Sequence, residues 1–337
     1  MFSANRTPLS YWRWTGFQDS DVDALCAELD HKVMFCRVRL NGDGTSHVTI
    51  SQNLWERKQG HAPTIQRFIR DLTTTEPLLG KRGSFIVWLE DGMWKPYSMY
   101  ARSAPIFSFG RYVDDSNTLL MPDPAFLEGK GYAEESEEFS LWDSESPWAE
   151  RRETIFWRGA ATGLGIESVT DWELTQRGRL VLADRRLHDL SVVDAKITRL
   201  SHLPVEVQET MMDRGVVGAE VPFDEFFKYK YVVDLDGYCC AWKSLFLKLG
   251  SGSVTLKMES DFEEWYFEEL SPWENYIPLS KSLDEIESVH AWLKANDAAA
   301  KSISQAGREV TSRVSYQRSL ESTARDISEL LSYRKDT

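Results

Sequence analysis

The chain has 337 residues, long for one hydrophobic core and suited to two domains of about 150 residues each. Its net charge of −14, with no long basic run, argues against nucleic-acid binding, although a few placed arginines can still hold a small anion. No apolar run reaches the ~20 residues of a membrane span, and the opening MFSANRTPLS lacks a signal-peptide core. The cysteines, Cys26, Cys36, Cys239 and Cys240, form no CxxC and no Cys/His cluster at zinc spacing. These features predict a cytoplasmic protein with no thiolate metal site. Thirteen tryptophans are expected mostly in the core, though flat aromatic faces also suit sugar rings.

In the first third, short strands alternate with helices. His31–Leu40 reads as a strand, and Asn41-Gly42-Asp43-Gly44 as a hairpin turn into 47–51. Thr64–Leu72 has helical spacing; Ser84–Leu89 and Ala104–Phe109 are apolar strands. From Gly110 to Glu150 the chain is acidic and rich in Pro and Gly, a linker composition that places a domain boundary near its end.

The second half alternates more regularly. Thr154–Trp157 predicts a strand, Arg179–Ala183 a helical turn or strand, and Pro204–Arg214 a helix. Tyr229–Val233 is β-branched and aromatic, as in a strand buried on both faces. Asp234-Leu235-Asp236-Gly237 then turns the chain into a helix over Ala241–Leu249. Ser253–Met258 is a further strand, Phe262–Leu270 a short helix, and Ser282 with Glu285 a capping box for a helix to Ala295. The last helix carries Leu320, Ala324, Ile327 and Leu331 on one face. Such alternation means α/β with a parallel sheet.

Three stretches have residues suited to chemistry. Phe156-Trp157-Arg158-Gly159-Ala160-Ala161-Thr162-Gly163 runs from a strand into a small-residue loop, where Arg158 would pair with a phosphate or bridge to a carboxylate of its own domain. Arg177 and Arg179 would add charge there or remain solvated. Glu90-Asp91 at the end of an apolar strand offers a base beside a crevice, or simply a turn. Asp234-x-Asp236 would hold a divalent cation in a metal-dependent transferase, or close a β-α corner whose helix N-terminus attracts an anion.

Four segments in order, WRGAATG (157–163), DGYCCAWKSLFLKLGSGSVTLK (236–257), EEWYFEELSPWENYIPL (263–279) and LKANDAAAKSISQAG (293–307), resemble glycosyltransferase family 90. The resemblance is strongest over 154–310, towards short bacterial members, and is traceable over 50–128 through FIVWLEDG, APIFSFGR and LLMPDPAF.

The resemblance implies a GT-B architecture: two Rossmann-like domains facing across a cleft, with 1–150 on the acceptor side and 151–310 on the donor side. Residues 311–337 would be a terminal helix returning to the first domain. It implies an inverting enzyme, without a metal or other cofactor, that moves glucose or xylose from a UDP-sugar to a glycan or glycoconjugate acceptor. A lipid-linked acceptor would bring peripheral association with the inner face of a membrane. Asp91 falls at the family's catalytic base. Arg158, Gly159, Ala160, Arg177, Gly237, Tyr238, Cys239, Cys240, Ala241, Trp242 and Lys243 fall at its donor-binding positions. Ala160 lacks the hydroxyl of animal relatives, Lys243 or Ser244 takes the place of an arginine, and Asn275 stands where histidine is frequent. A metal-dependent transferase built on Asp234 and Asp236, or a non-catalytic carbohydrate-binding protein, are the competing readings.

Overall fold

The computed structural model describes residues 8–57, 61–187, 191–200 and 203–335. Its strands are β1 (Phe35–Asn41), β2 (Ser46–Ile50), β3 (Arg82–Trp88), β4 (Ile106–Ser108), β5 (Gly110–Tyr112) and β6 (Leu119–Leu120), followed by β7 (Arg152–Ala160), β8 (Val193–Arg199), β9 (Tyr229–Asp234), β10 (Val254–Met258), β11 (Phe262–Glu264) and β12 (Ile277–Leu279). They belong to two α/β units. One contains residues 1–131, 261–265 and 314–337; the other contains 132–260 and 266–313. No described helix is long and apolar enough to cross a membrane.

In the first unit the 41–44 turn joins β1 to β2, with Gly42 and Gly44 both at φ +82°, where a side chain would be strained. The sheet order is β2-β1-β3-β4-β6; the first three strands are antiparallel, and β3, β4 and β6 are parallel. The helix His61–Thr73 buries Ile65, Phe68, Ile69 and Leu72, the one-sided spacing of an amphipathic helix. The terminal helix Tyr316–Ser332 lies in this unit and buries Leu320, Ala324, Ile327 and Leu331. Its Tyr316 hydroxyl donates to Asp71 at 2.8 Å, and Arg334 beyond its end pairs with Asp19 at 3.0 Å.

The second unit is built on a wholly parallel sheet in the order β12-β10-β9-β7-β8. Counted from the first of its strands, this is the doubly wound 2-1-3-4-5 order. The chain reverses its winding between β7 and β9, which opens a crevice at their carboxyl ends. Apolar side chains fill both faces of the sheet. Ile155, Trp157, Tyr231 and Val233 meet one layer, and Phe156 and Val232 the other.

Three expectations are corrected. The acidic stretch taken for linker contains the helix Ala133–Glu145, because Phe139 and Trp142 anchor one side of it. Trp142 stacks on Phe227 at 3.9 Å, and Phe139 lies so close to Gly250 that a methyl group there would meet its ring at 2.1 Å. Phe262–Leu270 is not a helix: Phe262–Glu264 pairs antiparallel with β5, where Phe262 meets Tyr112 at 4.5 Å and Glu263 pairs with Arg111 at 2.6 Å. An available strand edge overrides the helical spacing. The capping box is also displaced. Glu285 accepts from the hydroxyl of Ser280 at 2.6 Å, and the helix Ile286–Ala295 begins without a side-chain cap.

Candidate active site

In the first unit the acids at the carboxyl end of β3 have separate roles. Glu90 accepts from the Met34 amide at 3.1 Å, which fixes the loop. Asp91 makes no hydrogen bond or ion pair among the described residues and is exposed. Partial desolvation by the surrounding atoms still raises its carboxyl above the ordinary range, and His61 offsets only part of this. A carboxylate with raised proton affinity is chemically suited to take a proton from a hydroxyl.

In the second unit the residues at the β7/β9 crevice come together from three segments. The helix Gln176–Leu187 starts there, with Arg177 in its first turn. Arg177 Nε donates to the Asp236 carbonyl (2.9 Å) and Nη1 to the Ala160 carbonyl (2.7 Å), so it ties the ends of β7 and β9 together. Nη2 makes no hydrogen bond among the described residues and lies beside Gly237. A methyl group on Gly237 would sit 3.0 Å from Nη2 and 2.9 Å from the Thr162 hydroxyl, so only glycine permits this close approach. Burial pulls the guanidinium down to about 10 against the pull of Asp234 and Asp236, and it stays charged at neutral pH. Trp157 lies under it, with the guanidinium 5.8 Å from its ring centre.

Asp236 is clamped beside Arg177. Its amide donates to Gln176 Oε1 at 2.8 Å, while its Oδ2 accepts from Gln176 Nε2 at 2.8 Å and from the Ser260 hydroxyl at 2.6 Å. Its Oδ1 is buried without a partner among the described residues. Burial raises this carboxyl to about 6, with Lys257 and the hydrogen bonds from Ser260 and Gln176 opposing and Asp234 reinforcing the shift.

Asp234, fully buried at the end of β9, has the opposite character. Burial works against its charge, but Lys248 at 3.0 Å and Lys257 at 3.4 Å outweigh it and hold the carboxyl below its ordinary range. Both of its oxygens are engaged by ammonium groups, an arrangement poorly suited to chelating a divalent cation together with Asp236. Two lysines and Arg177 against two aspartates leave this corner net positive when all are ionised.

Downstream, the loop from Tyr238 to Lys243 leads into the helix Lys243–Gly250. Among the described residues, the amides of Tyr238, Cys239, Ala241 and Lys243 donate no hydrogen bond. Trp242 holds φ +50°, a conformation that costs a non-glycine residue about 1–3 kcal/mol. Cys239 and Cys240 are buried free thiols with sulfurs 3.8 Å apart. The Lys243 ammonium pairs with Glu135 and lies over the Tyr132 ring.

Arg158 is not brought to Arg177. Successive residues of a strand point to opposite faces, so Arg158 leaves the face that carries Trp157 and Arg177. It pairs with Asp194 at 2.7 Å and caps the Phe156 ring at 4.6 Å. Gly159 gives room to Trp157, whose ring a methyl group there would meet at 2.6 Å. Arg179 binds the carbonyls of Leu174 and Lys281, and Asn275 closes a turn with Ser271 and Glu269. Gln176, Thr162 and Ser260 were not singled out in the sequence; only the adjacency of Gln176 to Arg177 and the small-residue loop of Thr162 pointed to them. A cleft of about 740 Å³, lined by Asp143, Trp148, Arg151, Lys301 and Arg308, opens beside the amino ends of β7 and β10, away from this crevice.

In doubly wound α/β proteins the crevice at such a reversal point is the usual ligand site, and a helix N-terminus there favours an anion. The chain belongs to glycosyl transferase family 90, whose family profile matches residues 89–317, about two-thirds of its length. It is 41% identical over 86 residues to Protein O-glucosyltransferase 3 of Rattus norvegicus, covering 26% of this chain and 17% of that protein. It is 26% identical over 221 residues to Protein O-glucosyltransferase 1 of Bos taurus, covering 61% of this chain and 51% of that one. The chain thus spans only 17% and 51% of the length of these two relatives. Among solved structures, a glycosyltransferase from Rickettsia africae ESF-5 shares 9% identity at a TM-score of 0.39, over 71% of this chain and 68% of that one.

Proposed function

We propose that this chain is an inverting glycosyltransferase of GT-B type that moves glucose or xylose from a UDP-sugar to a hydroxyl of a glycan acceptor. The observation that supports this best is the approach of Arg177 to Gly237 at the β7/β9 reversal, at the head of the loop that carries the amides of Tyr238, Cys239, Ala241 and Lys243. In this reading Arg177 and those amides meet the charge of the departing diphosphate. Asp91 takes the acceptor proton as the hydroxyl attacks the anomeric carbon from the side opposite the leaving group. The cationic corner, rather than a divalent metal, serves the leaving group. Ala160 and the Cys239-Cys240 pair leave fewer hydroxyl groups for the donor, which puts more of the binding on main-chain groups.

Arg158 has no part in donor binding in this reading, because Asp194 already engages it. The acceptor is a surface polysaccharide, lipopolysaccharide-type glycan or other glycoconjugate in the cytoplasm or at a membrane's inner face. A nucleotide-sugar panel scored for thermal stabilisation and donor hydrolysis tests the reading. UDP-glucose or UDP-xylose should stabilise the protein and release UDP in the presence of EDTA. Loss of transfer in EDTA with recovery in Mn²⁺ would favour the metal-dependent alternative, and sugar binding without UDP release the non-catalytic one.

A further inference from the structure

Asp236 is not among the residues given a role above, yet it is held more closely than any of them. Gln176 reads both its amide and its carboxylate, Ser260 holds the same oxygen as Gln176, and its carbonyl receives Arg177 Nε. The other carboxylate oxygen, Oδ1, is buried with no partner among the described residues, in a residue only 8% exposed. An unmet lone pair on a buried anion is costly, whereas a proton on that oxygen removes the charge and leaves both bonds to Oδ2 intact.

We propose that Asp236 is a proton-operated positioning residue for Arg177: the Gln176–Asp236–Ser260 clamp aims the guanidinium at a diphosphate, and a proton on Oδ1 strengthens the hold on that anion. The inference rests on the donor-site reading above. The charged groups facing Asp236 are Asp234 from β9, Lys257 from β10 and Arg177 from the helix Gln176–Leu187; Lys248 on the helix Lys243–Gly250 acts through Asp234. A proton on Asp236 removes one negative charge from beside Arg177. A diphosphate beside Arg177 adds negative charge, and so raises the proton affinity of Asp236. By linkage the proton raises the affinity for diphosphate by the same factor. Burial has already brought the carboxyl to about 6, within reach of neutral conditions.

The probe is UDP-glucose, whose diphosphate, unlike that of UDP, binds no proton between pH 5 and 8. Calorimetry in two buffers of different ionisation enthalpy should show proton uptake on binding near pH 6.5 and an affinity about tenfold weaker at pH 8 than at pH 5. Asp91→Asn should keep this uptake. Asp236→Asn should abolish it and bind at pH 8 as tightly as the unaltered protein does at pH 5. Gln176→Ala should weaken UDP-glucose binding several-fold, lower kcat with it and diminish the proton uptake, because the guanidinium that meets the departing charge loses its aim. Binding with no proton uptake, or equal uptake in Asp236→Asn, would overturn the proposal while leaving the donor site standing. Undiminished binding by Arg177→Ala, or no binding by the unaltered protein at any pH, would overturn the donor site and the proposal with it.

Discussion

The two ends of the proposed reaction are built on opposite principles. The carboxyl end of β3 presents Asp91 on a short turn with no hydrogen-bond or ion-pair partner among the described residues, whereas at the β7/β9 reversal the charged groups are tied to one another. A base must be free to meet a substrate hydroxyl and to titrate. A leaving-group site must keep its cations oriented before the charge arrives, because reorganisation during reaction would raise the barrier. The contrast suggests that the first site is defined mainly by one side chain and the second by a network.

Substitutions should separate the two. The largest effect is expected from Asp91→Asn, which should lower turnover by about 10²–10⁴-fold, the usual worth of a general base, with UDP-glucose affinity unchanged in calorimetry. Asp234→Ala should cost about 3–5 kcal/mol of stability in denaturant titration, because Lys248 would be left buried without its counter-ion and Lys257 would lose one of its partners. Arg158→Ala should cost about 1.5–3 kcal/mol and leave UDP-glucose binding intact, since it removes a largely buried guanidinium that pairs with Asp194 and donates to two carbonyls.

Asp234 and Asp236 sharpen the comparison by responding to pH with opposite sign. Asp234 is held below its ordinary value of 3.8, so the stability it contributes is present above that value and is lost as pH falls through the folded-state value. Asp236 is raised to about 6, so the folded form is favoured below 3.8 and the advantage is lost as pH rises from 3.8 through about 6. Asp236→Asn should therefore raise Tm at pH 7.5 and have progressively less effect towards pH 4.

Much of the donor-side scaffold was legible because Tyr229–Gly250 states it locally: β-branched residues, a glycine turn, then one-sided helical spacing. Arg177 read either as charge for the same crevice or as a solvated arginine, and the family resemblance favoured the first. Arg158 shows the limit of reading a motif without its geometry. Strand alternation puts it on the face opposite Trp157, and Asp194, on the neighbouring strand, cannot be identified from local sequence. Gln176 and Ser260 were illegible for a related reason. Such residues occur on any surface, and they acquire a role only when folding brings them to Asp236 from 60 and 24 positions away. The helix Ala133–Glu145 was hidden by its acidic surface, although Phe139 and Trp142 already stood three residues apart.

The most direct measurement of the central claim is the UDP-glucose affinity of Arg177→Ala beside that of Arg158→Ala. Removing the crevice guanidinium should weaken binding by about 1.5–3 kcal/mol, as for a charge-assisted hydrogen bond, with the Arg158 variant unchanged. Equal affinity in both variants, or loss confined to Arg158→Ala, would contradict a donor site at the β7/β9 reversal.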